Sequence, residues 1–170
     1  TDRDFYIELA VKVLIKNEKA FDFLNKTIIN DELIDKVCKE NGLLLGQLRE
    51  KDRTAYRCFI SCLNNEEAMS FANPAVIGKQ AYAELASSIF KKYTSVIQYI
   101  KSEFITQEMC QIEFLRCTHL IYVPEAFITS DLCDQVVQKI NFAPVKWLNL
   151  LNKDEKEKAM LFNAIETFPA

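Results

Sequence analysis

Apolar residues recur along the chain with the spacing of one face of an α-helix. After Thr129, the third, fourth, seventh, eighth and eleventh following residues are apolar: Leu132, Cys133, Val136, Val137 and Ile140. Residues at this spacing share one helical face. The same spacing, with one polar residue in two of the copies, follows six further positions: Asp2, Asn30, Asp52, Gly78, Thr106 and Glu157. We therefore predict long amphipathic helices that begin within about three residues of Asp2, Asn30, Asp52, Gly78, Thr106 and Thr129.

Each of these apolar stripes is expected to face the core, because an amphipathic helix buries its apolar side. The stripe after Asp2 contains Phe5, Tyr6, Leu9, Ala10 and Val13, and the stripe after Asp52 contains Ala55, Tyr56, Phe59, Ile60 and Leu63. In the repeat that contains Thr129, we expect both Tyr122 of the short motif and Leu132 of the long helix to be buried.

A shorter apolar motif lies between the long helices and predicts a short helix of about two turns. It consists of two apolar residues, one unrestricted position and two further apolar residues. The copies are Ala20-Phe21 with Phe23-Leu24, a shortened Leu44-Leu45 with Leu48, Ala68-Met69 with Phe71-Ala72, Val96-Ile97 with Tyr99-Ile100, His119-Leu120 with Tyr122-Val123, and Pro144-Val145 with Trp147-Leu148.

The two motifs together form a repeat of a short helix, a brief loop and a long helix. Its clearest copies contain Phe104–Cys110 and Phe127–Cys133, two similar heptapeptides 23 residues apart. Stacked repeats of this kind bury one another's apolar stripes. The pattern predicts an all-α fold, an α-solenoid-like array that forms a single helical-repeat domain over residues 1–170. An irregular helical bundle is the alternative, and we expect the chain to be a fragment of a larger protein.

Two segments resemble a poorly characterised bacterial family of two-helix repeats that occurs in secreted effector proteins of intracellular pathogens. The first is Tyr122-Val123-Pro124-Glu125 followed by Thr129-Ser130-Asp131-Leu132-Cys133, and the second is Glu40-Asn41-Gly42-Leu43-Leu44-Leu45. The resemblance implies a bacterial origin and delivery into a host cell. It implies no catalytic residue, because the family is known for its repeats.

Composition narrows the function classes further. The chain has only 3 glycines, and this scarcity disfavours β-rich folds and glycine-rich phosphate loops. A net charge of −3 disfavours nucleic-acid binding, which usually needs a basic excess. The longest stretch without a charged residue or histidine, Ala68 to Gly78, is too short for a membrane span.

The cysteines and the only histidine are the candidate chemical groups. All six cysteines fall within apolar helical patterns, which favours free buried thiols over disulfides and indicates a reducing compartment, either the bacterial cytoplasm or the host cytosol after secretion. Cys62 lies off the predicted stripe and is expected to be exposed. Cys117 and His119 have the residue types of a nucleophilic pair, and Cys110 together with them has those of a zinc site that lacks a fourth ligand. The apolar pattern favours buried thiols beside a helix-start histidine instead.

Arg49, Arg53 and Arg57 recur every four residues and would line one face if the segment were helical throughout. They are the candidate partner-binding residues, although a solvated, ion-paired face is the commoner role for such a run. We predict no catalytic, cofactor-binding or metal-binding residue. The leading function is a protein–protein interaction module that binds a host protein. The alternatives are an enzyme with Cys117 or Cys62 as nucleophile, and a nucleic-acid-binding solenoid.

Overall fold

The computed structural model describes residues 2–116, 119–140 and 155–156. Within these ranges the chain forms helices, turns and loops and no β-strand, so the predicted all-α class is confirmed. Among the described residues no helix has the length and apolar character needed to cross a bilayer.

The long helices begin where the apolar pattern places them. Every predicted start lies within three residues of an observed one, and the apolar stripe that follows Glu157 lies outside the described residues. The helices are α1 (Asp2–Lys16), α2 (Asp31–Glu40), α3 (Ala55–Asn64), α4 (Pro74–Ile77, a single turn), α5 (Lys79–Lys92), α6 (Gln107–Arg116) and α7 (Ser130–Ile140).

Side-chain caps fix the starts of four long helices. The side-chain oxygens of four residues accept hydrogen bonds from backbone N–H groups three residues ahead, which satisfies donors that the first helical turn leaves unpaired. These residues are Asn30 before α2, Thr54 before α3, Thr106 before α6 and Thr129 before α7.

The short motifs form 3₁₀ helices, each ended by a residue in an extended conformation. Asn17, Asn41 and Asn65, spaced 24 residues apart, cap the first three through their side-chain oxygens. The copy at Pro144 lies outside the described residues. The 3₁₀ helices at these motifs are Glu18–Phe23, Gly42–Gln47, Glu66–Phe71, Thr94–Tyr99 and Leu120–Tyr122, and three shorter 3₁₀ turns are Glu50–Asp52, Ser102–Phe104 and Glu125–Phe127.

The chain divides into two compact units, Thr1–Phe104 and Ile105–Ala170. In the first unit, α2 packs against α1 and α3, and α3 packs against α5. Helices α2, α3 and α5 begin 24 residues apart. They bury equivalent positions of this 24-residue repeat, such as Ile34, Cys58 and Tyr82.

The last carbonyl groups of several long helices accept hydrogen bonds from side chains that lie about one repeat later. A helix leaves its final carbonyls without partners of its own, so these contacts complete one helix and tie it to the next repeat. The donors and acceptors are Asn41 with Leu14 and Ile15 of α1, Asn64 with Glu40 of α2, Lys92 and Tyr93 with Leu63 of α3, and, in the second unit, Lys139 with Leu115 of α6.

The predicted stripe faces the core in α2 and α5, but not in α1 and α3. In α1 the buried residues are Ala10, Val11 and Leu14, while Phe5, Tyr6, Leu9 and Val13 are exposed. In α3 the buried residues are Arg57, Cys58, Ser61 and Cys62, while Tyr56 and Phe59 are exposed. The α3 prediction was wrong because the cap is Thr54, two residues after Asp52, which ends a preceding 3₁₀ turn.

In the second unit, the buried stripes are confirmed at most of their described positions. Cys133, Val136 and Val137 of α7 are buried. Leu132 is only half-buried, and Tyr122 is 39% exposed, so the prediction that both are buried was wrong. Tyr122 is the last residue of a 3₁₀ helix of only three residues, which turns Leu120 and Val123 inward instead.

Candidate functional site

The three candidate arginines do not share a helical face. Arg49 precedes the 3₁₀ turn Glu50–Asp52, Arg53 follows it, and Arg57 lies in the first turn of α3. The helical spacing fails because the backbone is extended at Arg49 and Thr54, on either side of that turn. Each arginine therefore has its own environment.

Arg57 is a structural residue between α2 and α3. Its side chain is 7% exposed, and its Nε and Nη2 atoms each lie 2.6 Å from a carboxylate oxygen, of Asp35 and Asp31 respectively. Nη1 donates to the carbonyl oxygen of Asp52 at 3.0 Å. Burial alone would lower the pKa of Arg57, but the hydrogen bonds and charges of the two aspartates outweigh it and raise the pKa. The Arg57 guanidinium therefore stabilises the contact between α2 and α3.

The other two arginines also differ from each other: the Arg53 side chain bonds within the fold, and the Arg49 side chain is exposed. The guanidinium of Arg53 donates to three backbone carbonyls, those of Leu48, Gly46 and Phe71, and so braces two successive 3₁₀ helices. The side chain of Arg49 is 75% exposed, and its Nε atom lies 2.8 Å from a carboxylate oxygen of Asp52. An exposed pair of this kind is weak, so Arg49 is the candidate that a partner can reach.

Arg49 lines an open groove of about 580 Å³ on the first unit. The groove lies between the segment that leads into α2 and the segment around the Glu50–Asp52 turn. Its apolar residues include Phe21, Leu24 and Ile29, and its charged residues are Asp22, Lys26, Asp31, Arg49 and Asp52. The groove thus combines an apolar lining with charges of both signs.

The segment from Leu24 to Asn30 forms one wall of this groove, and the residues between its two ends match neither the long-helix nor the short-helix pattern. The Asn25 side chain accepts hydrogen bonds from the backbone N–H and the hydroxyl of Thr27, which holds a turn there. Arg49 was a candidate from the sequence, whereas Lys26, Ile29 and the other residues of this wall were not. No sequence signal marked this wall, because the interval of six positions from Leu24 to Asn30 also follows Ala72, Ile100 and Val123.

The described cysteines are buried thiols. Cys38, Cys58, Cys62, Cys110 and Cys133 are all free and buried, so the expectation that Cys62 is exposed was wrong. Its position follows from the Thr54 cap, which turns Cys62 inward. Burial raises the pKa of Cys58, of Cys110 and of Cys133 to about 11, and it raises the pKa of Cys62 still further. These thiols are protonated near neutral pH, whereas a cysteine nucleophile reacts as the thiolate.

His119 lies beside a buried carboxylate of α6. Glu113 is fully buried, and its Oε2 atom accepts a hydrogen bond of 2.9 Å from the backbone N–H of His119 and lies 3.3 Å from His119 Nδ1. Glu113 is one of the two polar residues in the predicted apolar stripes. A polar residue at a predicted core position, a few residues before the only histidine in the sequence, is the sequence feature that could have predicted this contact. Cys117 lies outside the described residues.

No group of three or more metal-ligating side chains is assembled within the described parts of the chain. Comparison with known proteins gives no match to a family model, to a curated protein or to a solved structure.

Proposed function

We propose that this chain is a protein–protein interaction module whose binding surface is the groove beside Arg49. The single observation that carries the proposal is the composition of that groove: an apolar lining next to an exposed arginine and lysine and three aspartates. Apolar surface that can be buried supplies binding free energy, and charges around it select and orient a partner.

The size and openness of the groove favour a segment of another protein as ligand. A cleft of about 580 Å³ accommodates a few side chains of an extended peptide or one turn of a helix. Basic and acidic residues of the partner can pair with Asp22 and Lys26 respectively, while an apolar side chain of the partner contacts Phe21, Leu24 and Ile29.

The hydrogen bonds between successive repeats support a scaffold role. Asn41, Asn64 and Lys92 each bond the end of the preceding long helix. A groove on a repeat array held in this way is formed before the partner arrives, which reduces the entropy lost on binding. We propose that the array is solenoid-like, and the bacterial effector resemblance implies a host protein as the partner.

The test compares two charge reversals at exposed residues two positions apart. Arg49→Glu changes the groove, whereas Lys51→Glu changes an exposed residue outside its lining. Both variants and the unaltered chain are immobilised and exposed to host-cell lysate, and the captured proteins are identified by mass spectrometry. We expect at least one protein to be captured by the unaltered chain and by Lys51→Glu but not by Arg49→Glu.

The purified partner is then titrated against all three chains by calorimetry. Loss of affinity by about tenfold or more for Arg49→Glu alone, equivalent to about 1.4 kcal/mol, would support the groove. A partner that binds all three chains equally would show that binding occurs on another surface. Circular dichroism spectra establish that both variants retain the helical fold.

A further inference from the structure

The first helix carries an apolar stripe on the side that faces away from its own unit. Phe5, Tyr6, Leu9 and Val13 are between 42% and 64% exposed, while Ala10, Val11 and Leu14 on the other side are buried. Phe5, Leu9 and Val13 follow one another at intervals of four residues and therefore lie in a row along the helix. Contiguous exposed apolar side chains of this kind mark interaction surfaces.

The equivalent row in later repeats is covered by a neighbouring helix. Moving 24 residues along the chain relates Leu9 to Leu33 of α2 and to Arg57 of α3, both of which are buried. Arg57 reaches back to Asp31 and Asp35 of α2, which shows that this row faces the preceding helix. The row is thus a contact surface in the later repeats, whereas on α1 it is exposed.

A row of charges runs along one edge of the stripe. Asp4, Glu8, Lys12 and Lys16 are spaced four residues apart, and all four are exposed. The order along the helix is acidic, acidic, basic, basic. Reversing the direction of such a row places acidic residues opposite basic ones, so the row is complementary to an antiparallel copy of itself.

We propose that the α1 stripe binds the α1 stripe of a second copy of this chain, with the two helices antiparallel. Glu8 of one copy then lies near Lys12 of the other, and Asp4 lies near Lys16. Each contact occurs twice because of the twofold symmetry. Burial of Phe5, Leu9 and Val13 drives the association. The charges favour the antiparallel direction, because that direction brings the same charged edge of both helices together in opposite order.

The first experiment measures the oligomeric state of the 170-residue chain by sedimentation equilibrium over a range of concentrations. We expect a reversible monomer–dimer equilibrium. Leu9→Glu places a charge in the centre of the stripe and should raise the dimer dissociation constant by about tenfold or more. The control is Val76→Glu, which changes an exposed apolar residue of α4 and should leave the dissociation constant unchanged.

The second experiment tests the direction of the helices through charge reversal. Glu8→Lys and Lys12→Glu, made singly, each place like charges opposite one another and should weaken the dimer. The double variant exchanges the two charges, restores opposite signs across the antiparallel pair, and should return the dissociation constant to within about twofold of the original. Both positions are exposed, so circular dichroism spectra and unfolding midpoints should stay close to those of the unaltered chain.

Two results would overturn the proposal. The first is a chain that stays monomeric at every concentration, including those near 1 mM. This result would show that the α1 stripe does not bind a second copy of the chain. The second is a dimer that Leu9→Glu does not weaken, or a double charge variant as weak as the single ones, which would place the dimer interface elsewhere or exclude the antiparallel arrangement.

Discussion

Arginine side chains of this chain serve opposite purposes at two positions eight residues apart. Arg57 is buried between two helices and bonded to two carboxylates, while Arg49 projects from the surface at the edge of the groove. The same residue type therefore contributes to stability at one position and is available to a partner at the other.

This difference predicts unequal effects of the same substitution. Arg57→Ala removes the hydrogen bonds to Asp31, Asp35 and the carbonyl of Asp52, and should lower the free energy of unfolding by about 2–3 kcal/mol, since hydrogen bonds to charged groups are among the stronger ones. Arg49→Ala, at an exposed site, should change it by about 0.5 kcal/mol or less. Urea unfolding of both variants measures the difference, and equal midpoints would contradict the structural role of Arg57.

Glycine at position 42 is required by a close approach between two repeats. A Cβ atom added there would lie 2.3 Å from the carbonyl oxygen of Ser61 in α3, and the Gly42 N–H donates to Asn64 Oδ1 at 2.9 Å. The Asn-Gly pair at this junction thus combines a capping side chain with a residue that lets the backbones meet.

Gly42→Ala should therefore cost more stability than Gly46→Ala. The atoms nearest to a Cβ at Gly46 belong to the Phe71 ring, at 2.8 Å, and a side chain can move where a backbone in a helix cannot. We expect a loss of about 2–3 kcal/mol for Gly42→Ala, typical of overpacking, and a smaller loss for Gly46→Ala. Thermal unfolding of the two variants tests the order, and a reversed order would show that α3 can shift away from Gly42.

At the scale of the elements, the apolar spacing predicted the helix starts, but it predicted the inward faces only in part. Asn30, Thr106 and Thr129 precede such stripes, and the structure shows that their side chains accept the backbone hydrogen bonds that cap α2, α6 and α7. In α3 the pattern failed because Arg57 and Ser61, which are polar, occupy the buried side. Tertiary contacts with Asp31 and Asp35 stabilise that orientation, and no periodicity within α3 records them.

The prediction that the apolar stripe of α1 faces the core was wrong for a different reason. Its apolar residues were correctly recognised as one helical face, but α1 buries the neighbouring face at Ala10, Val11 and Leu14. Both faces of this helix are apolar, so the spacing of apolar residues cannot show which face is buried. For the groove, the sequence identified Arg49 but not the wall near Ile29, because that wall is a loop without a periodic signal.

The hydrogen bonds that join successive repeats can be tested at Asn41, where one side chain has two separable roles. Asn41→Asp keeps the oxygen that caps Gly42–Gln47 but removes the donor to Leu14 and Ile15, and it places a carboxylate at the carbonyl end of α1, where negative charge is unfavourable. We expect a loss of about 1–3 kcal/mol.

Asn65→Asp is the matched control for this substitution. Asn65 caps Glu66–Phe71 in the same way, and its retained oxygen should keep the loss to about 0.5 kcal/mol or less. Chemical denaturation compares the two variants. Equal losses would mean that the cap, and not the bond between repeats, accounts for the stability contributed by Asn41.

At the scale of the whole molecule, the buried cysteines show that each of the two units has a packed interior. Three of them, Cys38, Cys58 and Cys62, lie in the first unit, and Cys110 and Cys133 lie in the second. Burial raises the pKa of each of these thiols. Reaction with a thiol reagent near pH 8 therefore requires both exposure and ionisation, which the folded units prevent.

We expect these five thiols to react with a disulfide reagent at pH 8 at least about a thousandfold more slowly than a free cysteine, because reaction must follow opening of the fold. Cys117 is replaced by alanine throughout so that it does not contribute. Mass spectrometry of timed samples should show the thiols of one unit reacting at similar rates, since they share one packed core. A Cys62 that reacts within about tenfold of free cysteine would contradict its burial and would return the cysteine nucleophile to consideration, with loss of any hydrolytic activity in Cys62→Ala as the deciding measurement.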